Sequence, residues 1–254
     1  MKRIVSLIVA LTLYLIPFYG STQAEELVDI YGNGDLPPIN FHDDGVITGL
    51  GYELIKAIFH EAGIASRINF VPWNRAYYNG LKGNGVVFGI AKTTERELIF
   101  DYSTALWTES FLLVTAKGNE FNFNSIDDLK GRVIVMQQGA RPSNRFNEYL
   151  DKGVLSVVFN RTPQSRLKFI LAGRADVGIF NPGLDAVKMN VLAAGLSMDQ
   201  FSILDLPVAV SKKYIAVKKR HGSKSLINKI NQAISRLKSN GVMDKIKNKY
   251  NIEG

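Results

Sequence analysis

Short apolar runs rich in β-branched residues alternate with amphipathic helical stretches along most of the chain. In the first half, the extended runs are ELVDIYG, RINFVPW, VVFGIA and SFLLVTAK, and INFHDDGVITG has the pattern of a hairpin. The stretch 52–62 is a helix with one apolar face, ended by Gly63, and a further helix covers RAYYNGLKG. Strands that alternate with helices in this way predict an α/β fold with helices packed on the sheets.

A second alternating series begins after Gly118. It contains a capped helix at SIDDLKG, the strands RVIVMQQ, LSVVFN and ADVGIF, and helices that start after Pro142 and at Thr162-Pro163. The strand YIAVKK and a long basic helix close the chain. Two series of this kind predict two lobes, each a mixed sheet flanked by helices.

The chain passes between the two series twice, near Leu113–Lys117 and near Leu206–Tyr214. Two crossings predict a two-segment hinge. We expect the following division of the chain: residues 1–24 form a signal peptide, residues 25–117 and 207–254 form lobe one, and residues 118–206 form lobe two.

The N-terminus has the pattern of a cleaved secretory signal. Lys2 and Arg3 precede an uncharged run, 4–18, and small residues follow before Glu25. A permanent membrane anchor is the alternative, but Pro17 shortens the apolar run below the roughly 20 residues that a span needs. The chain contains no cysteine, so neither a disulfide nor a lipidated cysteine is available. We expect an exported protein that is free in the periplasm.

The formal charge is +8 for the whole chain and +6 after loss of Lys2 and Arg3. Much of the excess lies in the last helical stretch, where a solvated basic face accounts for it. Nucleic-acid binding is disfavoured because no aromatic platform or reading motif accompanies the charge. Attraction to a membrane surface stays open.

Polar residues at strand ends are the candidates for a binding site, because ligands of open α/β sheets bind there. Arg96 follows the strand VVFGIA, and its planar fork suits a carboxylate. The hydroxyl of Thr93 can donate to a ligand or cap the turn. The alternative for Arg96 is a surface salt bridge to Glu95, Glu97 or Asp101.

Three further candidates lie at other strand ends. Arg141 lies two residues after Gly139, where a loop leads to Pro142 in the expected first turn of a helix, and the backbone N–H groups there can hold an anion. Asn181 ends the strand ADVGIF; it can contact a ligand or serve as a turn residue. Trp73 can form an aromatic wall for a ligand or belong to the core.

Six stretches in order resemble the bacterial extracellular solute-binding proteins of the polar amino-acid uptake family, that is, type II periplasmic binding proteins. They are LPPINFHDDGVITGLGYELIKAI, VPWNRAYYNGLKG, TTERELIFDYS, SIDDLKGRVIVMQQG, LAGRADVGIFN and INQAISRLKSNGVMDKIKNKY. The resemblance covers essentially the whole mature chain. It implies two α/β lobes that close on a small molecule and a membrane permease or membrane sensor as partner.

The resemblance also assigns roles to single residues. It implies that Arg96 grips the α-carboxylate of the ligand and that Trp73 lies against the ligand. Arg141 matches a position that usually carries a hydroxyl. Asn181 stands in place of the family's aspartate that pairs with an α-ammonium group, and Arg75 can add positive charge.

Two smaller departures are Leu36, in place of a common aromatic residue, and Ala91, in place of a common serine. Together with Asn181 and Arg141, these departures shift the expected ligand towards an anionic or neutral carboxylate-bearing solute.

An enzyme on the same fold, similar to cyclohexadienyl dehydratases, is the alternative function. Catalysis would need an acid or base placed in the cleft. The three histidines are scattered, with no metal-ligand spacing, and Glu53 and Glu109 are the best acids for such a role. We therefore expect a monomeric binding protein that uses no cofactor or metal.

Overall fold

The computed structural model describes residues 27–250. The predicted signal peptide, residues 1–24, lies outside the described residues. The described part contains twelve strands, eight α-helices and two short 3-10 turns. None of the helices in this part is long and apolar enough to cross a bilayer.

The strands are β1 (Val28–Asn33), β2 (Phe41–Asp43), β3 (Val46–Thr48), β4 (Ser66–Val71), β5 (Val86–Ala91), β6 (Phe100–Tyr102), β7 (Trp107–Ala116), β8 (Val133–Gln137), β9 (Ser156–Asn160), β10 (Val177–Phe180), β11 (Phe201–Ile203) and β12 (Ala209–Lys218). The helices are α1 (Leu50–Glu61), α2 (Trp73–Lys82), α3 (Thr94–Ile99), α4 (Asn144–Asp151), α5 (Pro163–Leu171), α6 (Leu184–Ala193), α7 (Ser223–Ser239) and α8 (Val242–Lys249). The 3-10 turns cover Ile126–Leu129 and Met198–Gln200.

Lobe one is built on three parallel strands in the order β4-β1-β5, with β12 antiparallel to β5. Helix α1 packs on this sheet through the apolar face that its sequence predicts, and Leu54, Ile55 and Ile58 are fully buried there. Helix α7 adds Ile230 and Ile234 to the same core. The last long helix of the chain thereby completes lobe one.

Lobe two contains the parallel strands β10-β8-β9, with β7 antiparallel to β10 and β11 antiparallel to β7. One hydrophobic cluster lies around Phe146 and Met136, and a second lies around Leu167 and Phe180. Two clusters are expected because the strands of a parallel sheet are covered on both faces.

The two lobes are joined by the long strands β7 and β12, which run antiparallel to each other. The segments Trp107–Phe111 and Ala209–Lys213 pair directly. Beyond Phe111, β7 continues into the sheet of lobe two. The predicted two-lobed α/β fold with a two-segment hinge is confirmed, while the bounds at residues 117 and 207 stay a prediction.

The predicted strands are present, but three helical segments differ from expectation. The helix expected at SIDDLKG is only a 3-10 turn, and Gly131, at φ 76°, adopts a left-handed conformation just beyond it. The long basic helix is two helices, because Gly241 is left-handed between them. Pro142 does not lie in the first turn of α4. That helix begins at Asn144 after Ser143, whose side chain accepts a hydrogen bond from the Phe146 N–H at 3.3 Å.

Candidate functional site

The cleft between the lobes lies at the carboxyl ends of parallel strands. Asn33 ends β1, Ala91 ends β5, Gln137 ends β8 and Asn181 follows β10, and all four line the cleft. This is the edge of an open α/β sheet where ligands bind. The free volume of the cleft is about 40 Å³, which suits only a few water molecules. A solute can therefore enter only if the lobes separate.

Arg96 is the central cation of the lobe-one side. It lies in α3, whose first turn is capped by the Thr93 hydroxyl, which accepts a hydrogen bond from the Arg96 N–H at 3.2 Å. The Arg96 side chain lies over the rings of Tyr77 and Trp73, with its Cζ 4.7 Å and 5.7 Å from their centroids. Arg96 is 4% exposed, and burial lowers its pKa.

The surface salt bridge weighed for Arg96 is wrong. Arg96 forms no ion pair with Glu95, Glu97 or Asp101, and the Glu97 carboxylate lies 3.9 Å from Lys92 instead. The guanidinium donates to two backbone carbonyls, those of Ala91 and Gly139, each at 3.3 Å. Because these acceptors are neutral, no counter-ion from residues 27–250 is in direct contact with the cation.

Gly139 is a point at which lobe two contacts lobe one. Its carbonyl accepts hydrogen bonds from Arg96 and from the Trp73 indole N–H, the latter at 3.0 Å. Its φ of 76° favours glycine, and a Cβ at this position would lie 3.3 Å from Trp73 Cδ1. Sequence reasoning treated Gly139 only as a strand end, because a backbone carbonyl leaves no signal in the residue pattern.

A buried polar network lies on the hinge strands at the back of the cleft. Glu109 is 1% exposed, and its carboxylate lies 3.1 Å from Lys213 Nζ. It also accepts hydrogen bonds from Trp107 Nε1 at 3.0 Å and from Asn181 Nδ2 at 2.9 Å. The acid is thus fully engaged by the protein.

Lys213 was not singled out from the sequence, although a signal exists. In β7, residues 107, 109 and 111 alternate inward, and in β12 the inward positions include residues 213 and 215. Period-two alternation therefore places one acid and one base on the buried faces of two strands predicted to cross together. Opposite charges on such faces predict a buried pair.

The two candidates of lobe two both line the cleft, but they differ in their partners. Asn181 donates to Glu109, as described above. Arg141 forms a salt bridge with Asp151 at 2.7 Å, and its side chain is 28% exposed. Arg141 therefore faces both the cleft and solvent, with a carboxylate already bound to it.

The remaining candidates lie outside the inner cleft. The Thr93 hydroxyl caps α3 and does not line the cleft. Arg75 is exposed and lines a neighbouring cavity, here called the outer compartment, whose walls also include His42. Glu53 accepts hydrogen bonds from Lys249 and Tyr250, both at 2.6 Å, on the surface of lobe one. The ligand-binding roles of the candidates stay predictions.

Comparison with known proteins identifies the class. Residues 28–253 match the model of the bacterial extracellular solute-binding proteins, family 3, and the chain belongs to this family. Similar curated proteins include the L-cystine-binding protein TcyJ of Escherichia coli K12, 24% identical over 85% of this chain and 79% of that protein. Another is the arginine-binding extracellular protein ArtP of Bacillus subtilis, 23% identical over 91% of this chain and 88% of that protein.

Solved structures show the same fold. A histidine kinase sensor domain with similarity to periplasmic binding proteins superposes with a TM-score of 0.75 at 20% identity, covering 89% of this chain and 96% of that one. An ancestral arginine-binding protein bound to arginine superposes with a TM-score of 0.73 at 24% identity, covering 88% and 97%. The type II periplasmic binding protein fold expected from the sequence is confirmed.

Proposed function

We propose that this protein captures a small carboxylate-bearing solute, an amino acid or a related organic anion, between its two lobes. The observation that carries the proposal is the environment of Arg96. Its guanidinium is buried in the cleft against the stacked rings of Trp73 and Tyr77, and its hydrogen-bond acceptors within the described residues are neutral carbonyls. A carboxylate forms shorter and stronger bonds to a guanidinium than a carbonyl does, so a solute can displace Gly139 from Arg96.

The charge balance of the cleft supports an acidic solute. Three cationic side chains line the inner cleft, Arg96, Arg141 and Lys213, and Glu109 is the only carboxylate among the lining residues. Glu109 already has Lys213 and Asn181 as partners. An α-ammonium group would find no free acid there, so an amino acid would be held through its carboxylate and its side chain.

Closing of the lobes on the solute gives the protein a shape that a membrane partner can read. The solute shifts the population towards the closed form because it bridges Arg96 and lobe two. A transport permease and a membrane sensor are both consistent with the relatives, which include amino-acid-binding proteins and a histidine kinase sensor domain. We propose that the protein works in the periplasm as a monomer and binds its ligand without converting it.

The test is a thermal-shift screen of the exported protein against amino acids, dicarboxylates and other small anions, followed by an assay for consumption of each hit. A ligand that binds only the folded state raises the melting temperature. A shift with a carboxylate-bearing solute that is recovered unchanged supports the proposal. No shift with any carboxylate would refute it, and conversion of a hit would favour an enzyme on this fold.

A further inference from the structure

Arg166 is a buried cation that the inner cleft does not use. It lies in α5 of lobe two and is 2% exposed. Its Nε and Nη1 atoms are fully buried and have no hydrogen-bond partner within residues 27–250. Buried polar groups in folded proteins nearly always have partners, and an unpaired buried charge is strongly unfavourable. This arrangement therefore points to a group that the protein itself does not supply.

Arg166 lies one helical turn after Thr162, the N-cap residue of α5 that lines the outer compartment, and its backbone N–H donates to the Thr162 carbonyl at 3.2 Å. Its guanidinium lies 5.0 Å from the ring centroid of Phe180, the residue directly before Asn181. Burial lowers the pKa of Arg166 to about 10, and the carboxylate of Asp35 in lobe one acts in the opposite direction. The two side chains nevertheless form no salt bridge with each other among the described residues.

Asp35 lines the outer compartment, which adjoins the inner cleft. Asn33, Trp73 and Gln137 border both cavities. The free volume of the outer compartment is about 550 Å³, far larger than that of the inner cleft. Its walls carry Arg75, Arg161 and His42 against one carboxylate, that of Asp35. Burial raises the pKa of Asp35, so its negative charge is itself disfavoured there.

We infer that the solute carries a second acidic group and that Arg166, one helical turn beyond the outer-compartment residue Thr162, binds it once the lobes have separated and closed on the solute. This inference rests on the proposed function, in which Arg96 binds the first carboxylate. The substrate class is then a dianion with two separated acidic groups, such as a dicarboxylate or an acidic amino acid. The basic outer compartment attracts such a solute before the lobes close.

The competing explanation is that Arg166 only holds the lobes together by pairing with Asp35. The geometry speaks against it, because the lobes already touch at Gly139 and Arg166 still has two donors without acceptors. A closing salt bridge would be formed in such an arrangement. The two explanations also predict opposite effects of removing the charge of Asp35.

The experiment measures affinity by titration calorimetry with pairs of solutes that differ only in the distal group. The pairs are pentanedioate with pentanoate and L-glutamate with L-glutamine. For the full exported protein we expect the dianionic member of at least one pair to bind about tenfold or more tightly, as a charge-assisted bidentate contact implies.

Two variants and one control locate the preference. Arg166→Met keeps most of the side-chain volume but removes the charge, and we expect the preference for the dianion to fall to about threefold or less while the monoanion binds as before. The melting temperature of this variant without ligand should rise, because an unpaired buried charge is replaced by an apolar group. The control is Arg174→Met, an exposed arginine that stacks on Phe169 in the same lobe.

Asp35→Asn is the second variant and does not depend on how Arg166→Met folds. We expect it to strengthen binding of the dianion, because it removes a like charge next to the second acidic group. Equal weakening of both members of a pair would show that Asp35 and Arg166 only close the lobes and would overturn the inference. Equal affinity of both members for the unaltered protein would also overturn it while leaving the proposed function intact. Failure of every carboxylate to bind would refute both.

Discussion

The two lobes each bury an arginine against an aromatic ring, but within the described residues only the guanidinium of lobe one has acceptors. Arg96 of lobe one is 4% exposed and donates to two carbonyls. Arg166 of lobe two is 2% exposed, and two of its nitrogens have no acceptor in the described chain. The ring distances are similar, 4.7 Å to Tyr77 and 5.0 Å to Phe180.

This difference separates two roles for a buried guanidinium. Arg96 connects the lobes through Gly139 without any ligand, so under the proposed function it contributes to closing as well as to binding. Arg166 makes no such bond within the described residues, and we infer that a bound acid accepts its hydrogens and offsets the cost of burying its charge. Removal of the Arg96 side chain should therefore lower both the stability and the affinity for the solute. Removal of the Arg166 charge should raise the stability and lower the affinity for a dianion.

The largest effect is expected for Arg96→Ala. Affinity for a carboxylate-bearing solute should fall by about 100-fold, because a buried, hydrogen-bonded charge pair loses one partner. Arg96 is buried and hydrogen-bonded, so its loss should lower stability as well. We expect the free energy of unfolding to fall by about 1–2 kcal/mol. Calorimetry and urea unfolding measure the two effects.

The matched control for that variant is Arg67→Ala. Arg67 is a lobe-one arginine whose side chain is 62% exposed and pairs with Asp29. Arg67→Ala should leave the affinity for the solute unchanged. Arg96→Lys should recover only part of the affinity, because an ammonium lacks the planar fork. Full affinity of Arg96→Ala would remove Arg96 from the site.

The next effect concerns the hinge. Glu109→Gln leaves Lys213 buried without its counter-ion, and the free energy of unfolding should fall by about 3 kcal/mol. The exposed pair of Glu148 and Lys152 provides the control, and Glu148→Gln should cost less than about 0.5 kcal/mol. Urea unfolding compares both with the parent protein. Equal and small changes in the free energy of unfolding for both variants would show that the pair of Glu109 and Lys213 stabilises the protein no more than a surface pair.

Asn181→Asp tests the contact between lobe two and the hinge. The variant loses the donor to Glu109 and places a second carboxylate beside it, at the position where Nδ2 now lies 2.9 Å away. Affinity for anions should fall by about tenfold, and solutes with an α-ammonium group should gain relative to them. An unchanged preference would exclude Asn181 from the site.

Arg141→Gln should have the smallest effect. Arg141 is partly exposed and bound to Asp151, so its loss should weaken anion binding by about threefold or less. Titration calorimetry measures this effect and that of Asn181→Asp. A loss as large as that of Arg96→Ala would make Arg141 the main cation of lobe two in place of Arg166.

The fold was predictable because its signals are local. The period of the apolar residues locates the strands and helices, and the two passages between the series locate the hinge strands. Helix ends were less predictable. Gly131 and Gly241 adopt left-handed backbone conformations at the ends of helical segments. Nothing in the sequence distinguishes these two from the other glycines of the chain.

The site was predictable only in part. Arg96, Trp73, Arg141 and Asn181 do line one cleft, because strand ends meet at one edge of a sheet. Two features could not be inferred from the sequence: that the Gly139 carbonyl accepts hydrogen bonds from lobe one, and that the Arg166 donors are buried without acceptors. Both depend on how the two lobes approach each other. Arg166 in particular lies inside an amphipathic helix, where an arginine normally faces solvent.

The most direct test of the account is a crystal structure of the exported protein with the strongest carboxylate ligand from the screen. We predict closed lobes with a carboxylate of the ligand bonded to both terminal nitrogens of Arg96, in place of the carbonyl of Gly139. A ligand bound elsewhere, with the bond from Arg96 to Gly139 retained, would contradict the account.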